Sequence, residues 1–234
     1  MRIRTAVVGA FQENCYLVAD EASGDAVLID PGADPAHLLR LVGESRCTLG
    51  AIWLTHAHVD HIGAVAGLKR VWDVPVFLHP AQPAPLPRTS KFALNQIVQY
   101  TFDTTLCVGS LISSGVLDRF PKLRLILSHG GGALPYLIGR FDIMHERADK
   151  SQGIVAAGKP SAYLHRLWYD SILHDAQALR YLASRVSVDR IVLGSDDSFP
   201  PADLDPLASL QAAGFDAAEV HTITEDNPRL LFRL

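Results

Sequence analysis

The sequence predicts an α/β fold: a mixed sheet that opens as an antiparallel meander and continues as parallel strands joined by helices. Three observations lead there. Apolar and polar residues alternate over Ile3–Val8, Cys15–Ala19 and Ala26–Ile29, with the turn-forming stretch Glu21–Asp25 before the third run. After residue 50, short apolar runs alternate with longer segments of helical period, the order expected of strands linked by crossover helices. The chain of 234 residues is long enough for a substantial core, as one large domain or two small ones.

Further strands are expected at Ala51–Thr55, Val74–Leu78, Leu123–Ser128, Leu167–Ser171 and Arg190–Gly194. Helices are expected over Pro35–Val42, Ile62–Val71, Leu94–Ser113, Leu134–Glu146, Asp175–Val186, Leu204–Ala213 and Asp226–Phe232. Pro80, Pro83, Pro85 and Pro87 make Pro80–Ser90 an irregular connection, either an interdomain linker or a loop above a site.

A net charge of −4 gives no electrostatic case for nucleic acid or an anionic membrane. Cys15, Cys47 and Cys107 are odd in number and far apart, so neither a disulfide framework nor a zinc ribbon is indicated. The sequence has no 18-residue apolar run, and Met1-Arg2-Ile3-Arg4 does not read as a signal peptide, so the cytoplasm is the expected compartment.

The chemistry concentrates in Leu54-Thr55-His56-Ala57-His58-Val59-Asp60-His61, at the junction of an expected strand and helix. In extended backbone His56 and His58 project to one side, and two converging imidazoles suit Zn²⁺ or a similar divalent ion such as Mn²⁺. Asp60 and His61, one turn onward, can reach a second metal or orient a water.

His-x-His-x-Asp-His after an apolar strand resembles the signature of the metallo-β-lactamase superfamily. Glu13-Asn14-Cys15-Tyr16-Leu17-Val18 and Ala26-Val27-Leu28-Ile29-Asp30-Pro31-Gly32 are similar to its hydroxyacylglutathione hydrolase-like members. The resemblance covers residues 1–82. It implies one ion on His56 and His58, a second on Asp60 and His61, and a structural Asp30 that holds the metal loop. The family's later histidine and aspartate motifs are not found, and His221 is a weak stand-in for the last of them.

From Val76-Phe77-Leu78-His79-Pro80 onward the text resembles a different family. Phe102-Asp103-Thr104-Thr105, Gly115-Val116-Leu117-Asp118-Arg119-Phe120-Pro121, Ser128-His129-Gly130-Gly131-Gly132, Tyr169-Asp170-Ser171, His174-Asp175, Leu193-Gly194-Ser195-Asp196 and Asn227-Pro228-Arg229 are similar to amidohydrolase-related decarboxylases, the aminocarboxymuconate-semialdehyde decarboxylase type. That family is built as (βα)₈ barrels, so residues 76–234 would form its C-terminal half-barrel. The resemblance implies that His129 is an acid/base beside the metal, that Asp196 is a metal ligand, and that His79 is the fifth strand's ligand. Each has a plainer reading: a hydrogen bond at a strand end for His129, capping or a salt bridge for Asp196, a common His-Pro turn for His79. Asp197 should face away, Arg140 follows the family's pattern or pairs at the surface, and His37, His145 and His165 are expected to be solvated.

A half-barrel cannot close alone. The expected organisation is therefore a metallo-β-lactamase-like part, residues 1–82, and a half-barrel-like part, residues 83–234, packed as one continuous unit and assembling as a homo-oligomer. Strand ends converge in parallel sheets, so His56, His58, His79, His129 and Asp196 are expected to share a shell of one or two ions. The first functional expectation is hydrolysis of a small ester-type substrate (phosphotriester, activated ester or lactone), with Asp60 or His129 moving the proton. Metal-dependent decarboxylation is the alternative. A fusion relic with residual metal affinity is the third, since each part lacks ligands its family requires.

Overall fold

A computed structural model describes residues 1–55, 59–78, 86–147, 153–197 and 199–232, with the Val59 side chain excepted. The chain divides into two compact units, Met1–Gln82 and Pro83–Leu234.

In the first unit β1 (Arg2–Val8), β2 (Glu13–Ala19) and β3 (Asp25–Ile29) form the antiparallel meander, paired Val8 to Glu13 and Tyr16 to Ile29. The chain then crosses through helix α1 (Pro35–Ser45) to β4 (Thr48–Leu54), which runs parallel to β3, and later to β5 (Val76–Leu78), parallel to β4. Period-two alternation sets the register: Cys15, Leu17 and Ala19 are buried, while Tyr16 between them is exposed. A one-residue slip would turn the apolar set outward, so the alternation fixes which side chains stand at the strand ends. Helix α1 begins with Pro35 at its first turn and stops at a left-handed Arg46.

The expected helix Ile62–Val71 is instead two short ones, α2 (Val59–Ile62) and α3 (Val65–Leu68). The break has an identifiable cause. The N–H of Ala64 donates to the carbonyl of Pro31 at 2.9 Å, so this donor serves the Asp30-Pro31-Gly32 turn. The helical period continued through the break, because apolar spacing does not record where a backbone donor goes.

In the second unit β6 (Leu125–Leu127), β7 (Trp168–Asp170) and β8 (Ile191–Val192) are parallel, shorter than expected, and buried at every residue. The crossovers are α4 (Tyr100–Ser113), which follows a π-type turn at Asn95–Gln99, then α5 (Val116–Arg119), α6 (Leu134–Arg147) and α7 (Ala176–Val186). Asp175 caps α7 by accepting from Ala178 N–H at 2.7 Å. The unit continues with α8 (Pro206–Ala212), α9 (Ala217–His221) and α10 (Asn227–Phe232). Buried Asn227 donates to the carbonyls of Val188 and Ile191, tying α10 to β8. The fold class is thus the expected one: an antiparallel meander followed by parallel βα units.

Among the described residues no helix is long and apolar enough to cross a membrane. Burial pushes the Cys15 thiol up to about 12 and the Cys107 thiol up to about 11. Since the thiolate is the nucleophile, iodoacetamide at pH 8 should leave both unmodified in the native protein. Mass spectrometry after brief labelling checks this, and rapid carbamidomethylation of Cys15 would contradict the packing described.

Candidate functional site

Two side-chain clusters stand at strand ends, one in each unit. The first is assembled by the Asp30-Pro31-Gly32 turn. Asp30, at a left-handed φ of 48°, closes β3 with its N–H on the Trp53 carbonyl. Its buried carboxylate accepts from Thr55 N–H at 2.8 Å and from the Thr55 hydroxyl at 2.6 Å. One of its oxygens also lies 3.0 Å from His61 Nδ1. Pro31 supplies the carbonyl for Ala64. Gly32 leaves room for the backbone of Asp60: a Cβ there would stand 1.6 Å from the Asp60 carbonyl oxygen.

With Nδ1 on the side of Asp30, His61 presents Nε2 to Glu13 at 3.6 Å and to Asp60 at 3.8 Å. One donor atom from each of Glu13, Asp60 and His61 falls within 4.8 Å of the others. Two carboxylate oxygens and an imidazole nitrogen suit Zn²⁺ or Mn²⁺, and the Asp30 contact orients the ring as outer partners of metal-binding histidines do. The donor chemistry therefore fits a divalent ion. No sequence motif marks Glu13 as a ligand. Its signal was its parity with the inward-facing Cys15, Leu17 and Ala19, at the foot of β2.

The second cluster follows β6. His129 through Gly132 are left-handed at four successive residues, with φ of 56°, 59°, 79° and 62°. The turn is held by Asp170 at the end of β7. Its Oδ2 accepts from His129 N–H at 2.9 Å, and its Oδ1 accepts from Gly130 N–H at 2.8 Å and from Ile172 N–H at 3.2 Å. Burial pushes the Asp170 carboxyl up to about 7, with these N–H groups pulling the other way. So held, His129 places Nε2 at 3.5 Å from Oδ2 of Asp196, itself left-handed at φ 56°; both side chains are largely buried. The motif Tyr169-Asp170-Ser171 does not disclose the task of Asp170. A carboxylate ending an otherwise apolar strand was the available signal.

His56, His58 and His79 lie outside the described residues. The structure brings Asp60 to His61 and Asp196 to His129. Asp197 is exposed, as is His174, whose neighbour Asp175 serves as the cap. His221 is exposed and lies 3.6 Å from Asp226, and Arg140 is exposed. One expectation is corrected: His145 is half-buried and bonds the Ala156 carbonyl at 3.1 Å. His165 is exposed as expected, with its Nδ1 3.1 Å from the Val186 carbonyl. Each ring nitrogen satisfies a loop or helix-end carbonyl that only tertiary folding brings near.

The family model of the metallo-β-lactamase superfamily matches residues 8–137, more than half of the chain. The chain belongs to the metallo-β-lactamase superfamily. It is also 32% identical over 131 residues to the 2-amino-3-carboxymuconate-6-semialdehyde decarboxylase of Dictyostelium discoideum, covering 56% of this chain and 36% of that protein. A probable metallo-hydrolase of Bacillus subtilis (strain 168) is 40% identical over 80 residues, 34% of this chain and 36% of the relative. The chain thus spans little more than a third of these curated relatives. Among solved structures, the 5-carboxyvanillate decarboxylase of Novosphingobium aromaticivorans, complexed with manganese and 4-hydroxy-3-methoxy-5-nitrobenzoic acid, superposes with a TM-score of 0.73 at 21% identity. That match covers 88% of this chain and 62% of that one. Both likenesses read in the motifs, metallo-hydrolase and amidohydrolase-type decarboxylase, are therefore present in one chain.

Proposed function

We propose that this protein is a decarboxylase acting, with a divalent ion such as Mn²⁺ or Zn²⁺, on a small carboxylate borne by an aromatic or conjugated enol-type carbon. The observation that carries the reading is the His129–Asp196 pair, 3.5 Å apart on a turn fastened by Asp170. When the C–CO₂ bond breaks, its electron pair stays on the substrate carbon, and that carbon must take a proton. His129 is the group to hold and deliver that proton, and its Nε2 faces the Asp196 carboxylate. The names of the decarboxylase relatives support the substrate class, and the manganese of the Novosphingobium enzyme supports the choice of ion.

The test is CO₂ release from 5-carboxyvanillate and from 2-amino-3-carboxymuconate-6-semialdehyde with Mn²⁺ supplied. Turnover by the wild type and a loss of about 10²- to 10⁴-fold in His129→Ala are expected. Absence of CO₂ from both compounds would overturn the reading.

The Glu13–Asp60–His61 cluster favours a second reading, hydrolysis of an ester-type substrate, in keeping with the superfamily. Glu13, Asp60 and His61 would hold the ion, which when bound polarises a carbonyl or phosphoryl oxygen. Asp60 would take the proton from the attacking water, and Asp30 would keep the His61 ring in place. In either reading the partner is a small molecule. Assembly as a homo-oligomer is part of the proposal, and light scattering tests it.

A further inference from the structure

Strand β1 stands at the end of the first unit's sheet. It pairs with β2 from Arg2 opposite Ala19 to Val8 opposite Glu13, and among the described residues no strand lies on its other side. A free edge is a template for another strand, and proteins usually guard it with proline, a bulge or a charge turned across it. β1 has no proline, and its register with β2 is unbroken. Its arginines point elsewhere. Arg2 donates to the Ser45 carbonyl at 2.5 Å and Arg4 to the Ser45 hydroxyl at 2.7 Å, so both reach to the end of α1.

Which backbone groups face outward follows from the neighbouring pairing. Asp20 N–H donates to the Asp25 carbonyl at 2.8 Å, so the even-numbered residues of β2 turn their N–H and C=O toward β3. The alternation of extended backbone then turns Cys15, Leu17 and Ala19 toward β1, where they meet Ala6, Arg4 and Arg2. Ile3, Thr5 and Val7 are left with their N–H and C=O directed off the sheet. Their side chains are exposed as well, Ile3 at 54% and Val7 at 57%. An antiparallel sheet face that meets water normally carries polar side chains. This one carries Ile3 and Val7, with exposed Tyr16 beside them in β2.

The edge also complements itself. Laid antiparallel against a second β1 about Thr5, Ile3 stands opposite the partner's Val7, and Thr5 opposite the partner's Thr5. Each such pair exchanges both backbone bonds, because each member faces outward. Apolar β-branched pairs and Thr–Thr pairs are favourable cross-strand neighbours. Arg4 comes opposite the partner's Ala6 and Arg2 opposite the partner's Val8, so no like charges are opposed. Sliding the strands to centre on Arg4 would set it against the partner's Arg4, and sliding the other way would pair fewer residues. One patch thus serves both copies, as a two-fold interface requires.

We propose that this edge is a dimer interface, with β1 paired to the β1 of a second copy about Thr5. The inference rests on the homo-oligomer proposed above and on neither catalytic reading. A single strand edge belongs with the small, exchanging interfaces below about 1,200 Å², so the dimer should form and dissociate in the micromolar range of chain concentration.

Sedimentation velocity on the full-length chain over a concentration series reads the dimer, and engineered cysteines read its register. The wild type should dimerise. Thr5→Lys sets like charges opposite each other, and Thr5→Pro removes an outward N–H while leaving the bonds to β2. Each should weaken association at least about 10-fold. Thr5 is exposed, so Thr5→Lys folds even if Thr5→Pro does not. Opposed Cα atoms in such a pair stand about 5.5 Å apart, within reach of a disulfide. On oxidation Thr5→Cys should therefore cross-link to itself, and Ile3→Cys to Val7→Cys in preference to itself, as peptide mapping would show. A monomer at every concentration would remove both the oligomer and the interface. A dimer indifferent to Thr5→Lys, or Ile3→Cys linking to itself in preference to Val7→Cys, would keep the oligomer and overturn the interface.

Discussion

Asp170→Ala should be the most damaging single substitution in the second unit. It strips acceptors from three backbone N–H groups, those of His129, Gly130 and Ile172, at a buried position. Leaving buried donors unsatisfied costs about 1–3 kcal/mol each, so with partial relaxation the expected loss is about 3–5 kcal/mol. Hydrogen exchange should locate the damage, with the amides of His129 and Gly130 losing protection first. Asp170→Asn is milder, keeping one acceptor oxygen but turning an NH₂ toward a backbone donor. If the proposed decarboxylation is right, CO₂ release should fall in both variants, because this turn places His129 beside Asp196.

The raised carboxyl of Asp170 adds a pH signature. Its folded value is near 7, while an unfolded aspartate titrates near its ordinary value of about 3.9. Between the two the folded protein keeps a proton that the unfolded chain releases. Its contribution is therefore fully present below about pH 4 and is lost as pH rises through about 7. The stability advantage of wild type over Asp170→Asn should shrink across that window and then level off. Urea titrations at four pH values test this, and an advantage that grew with pH would contradict it.

The second large effect belongs to a residue with no side chain. In Gly32→Ala the new Cβ would meet the Asp60 carbonyl oxygen at 1.6 Å and its carbon at 2.6 Å. Both are backbone atoms, so the start of α2 must move, carrying Asp60 and His61 away from Glu13. Affinity for Zn²⁺ or Mn²⁺ should fall by about 10- to 100-fold although no donor is deleted, the range seen when the support of a metal site is disturbed. Gly43→Ala is the matched control: it lies on α1, and its Cβ would meet nothing within 4 Å. It should leave affinity unchanged and add about 0.5–1 kcal/mol of stability. Metal titration of the two variants side by side decides the point.

The architecture was legible where burial imposes a period. Alternation placed the three meander strands to within one or two residues, and capping at Asp175 marked the start of α7. Legibility failed where a backbone donor is taken by a distant acceptor, as at Ala64, because no side-chain pattern records that bond. The clusters followed the same rule. Asp60 with His61 could be read from neighbouring positions in the text. Glu13 joins them only through the pairing of β2 with β3 and the turn at Asp30. Asp196 could be read as a strand-end carboxylate, whereas the task of Asp170 is to satisfy backbone donors and leaves little trace in residue type.

The run of left-handed residues from His129 to Gly132 bears on how this molecule can change over generations. An added methyl at Gly130 would strike Leu173, and one at Gly132 would fall 2.0 Å from the carbonyl oxygen of Thr101. Drift at these codons is therefore nearly closed while the imidazole stays in use. A lineage wanting a new substrate has to alter the surrounding loops and inherit this corner whole, so decay of the glycines would be an early sign that the chemistry had been abandoned.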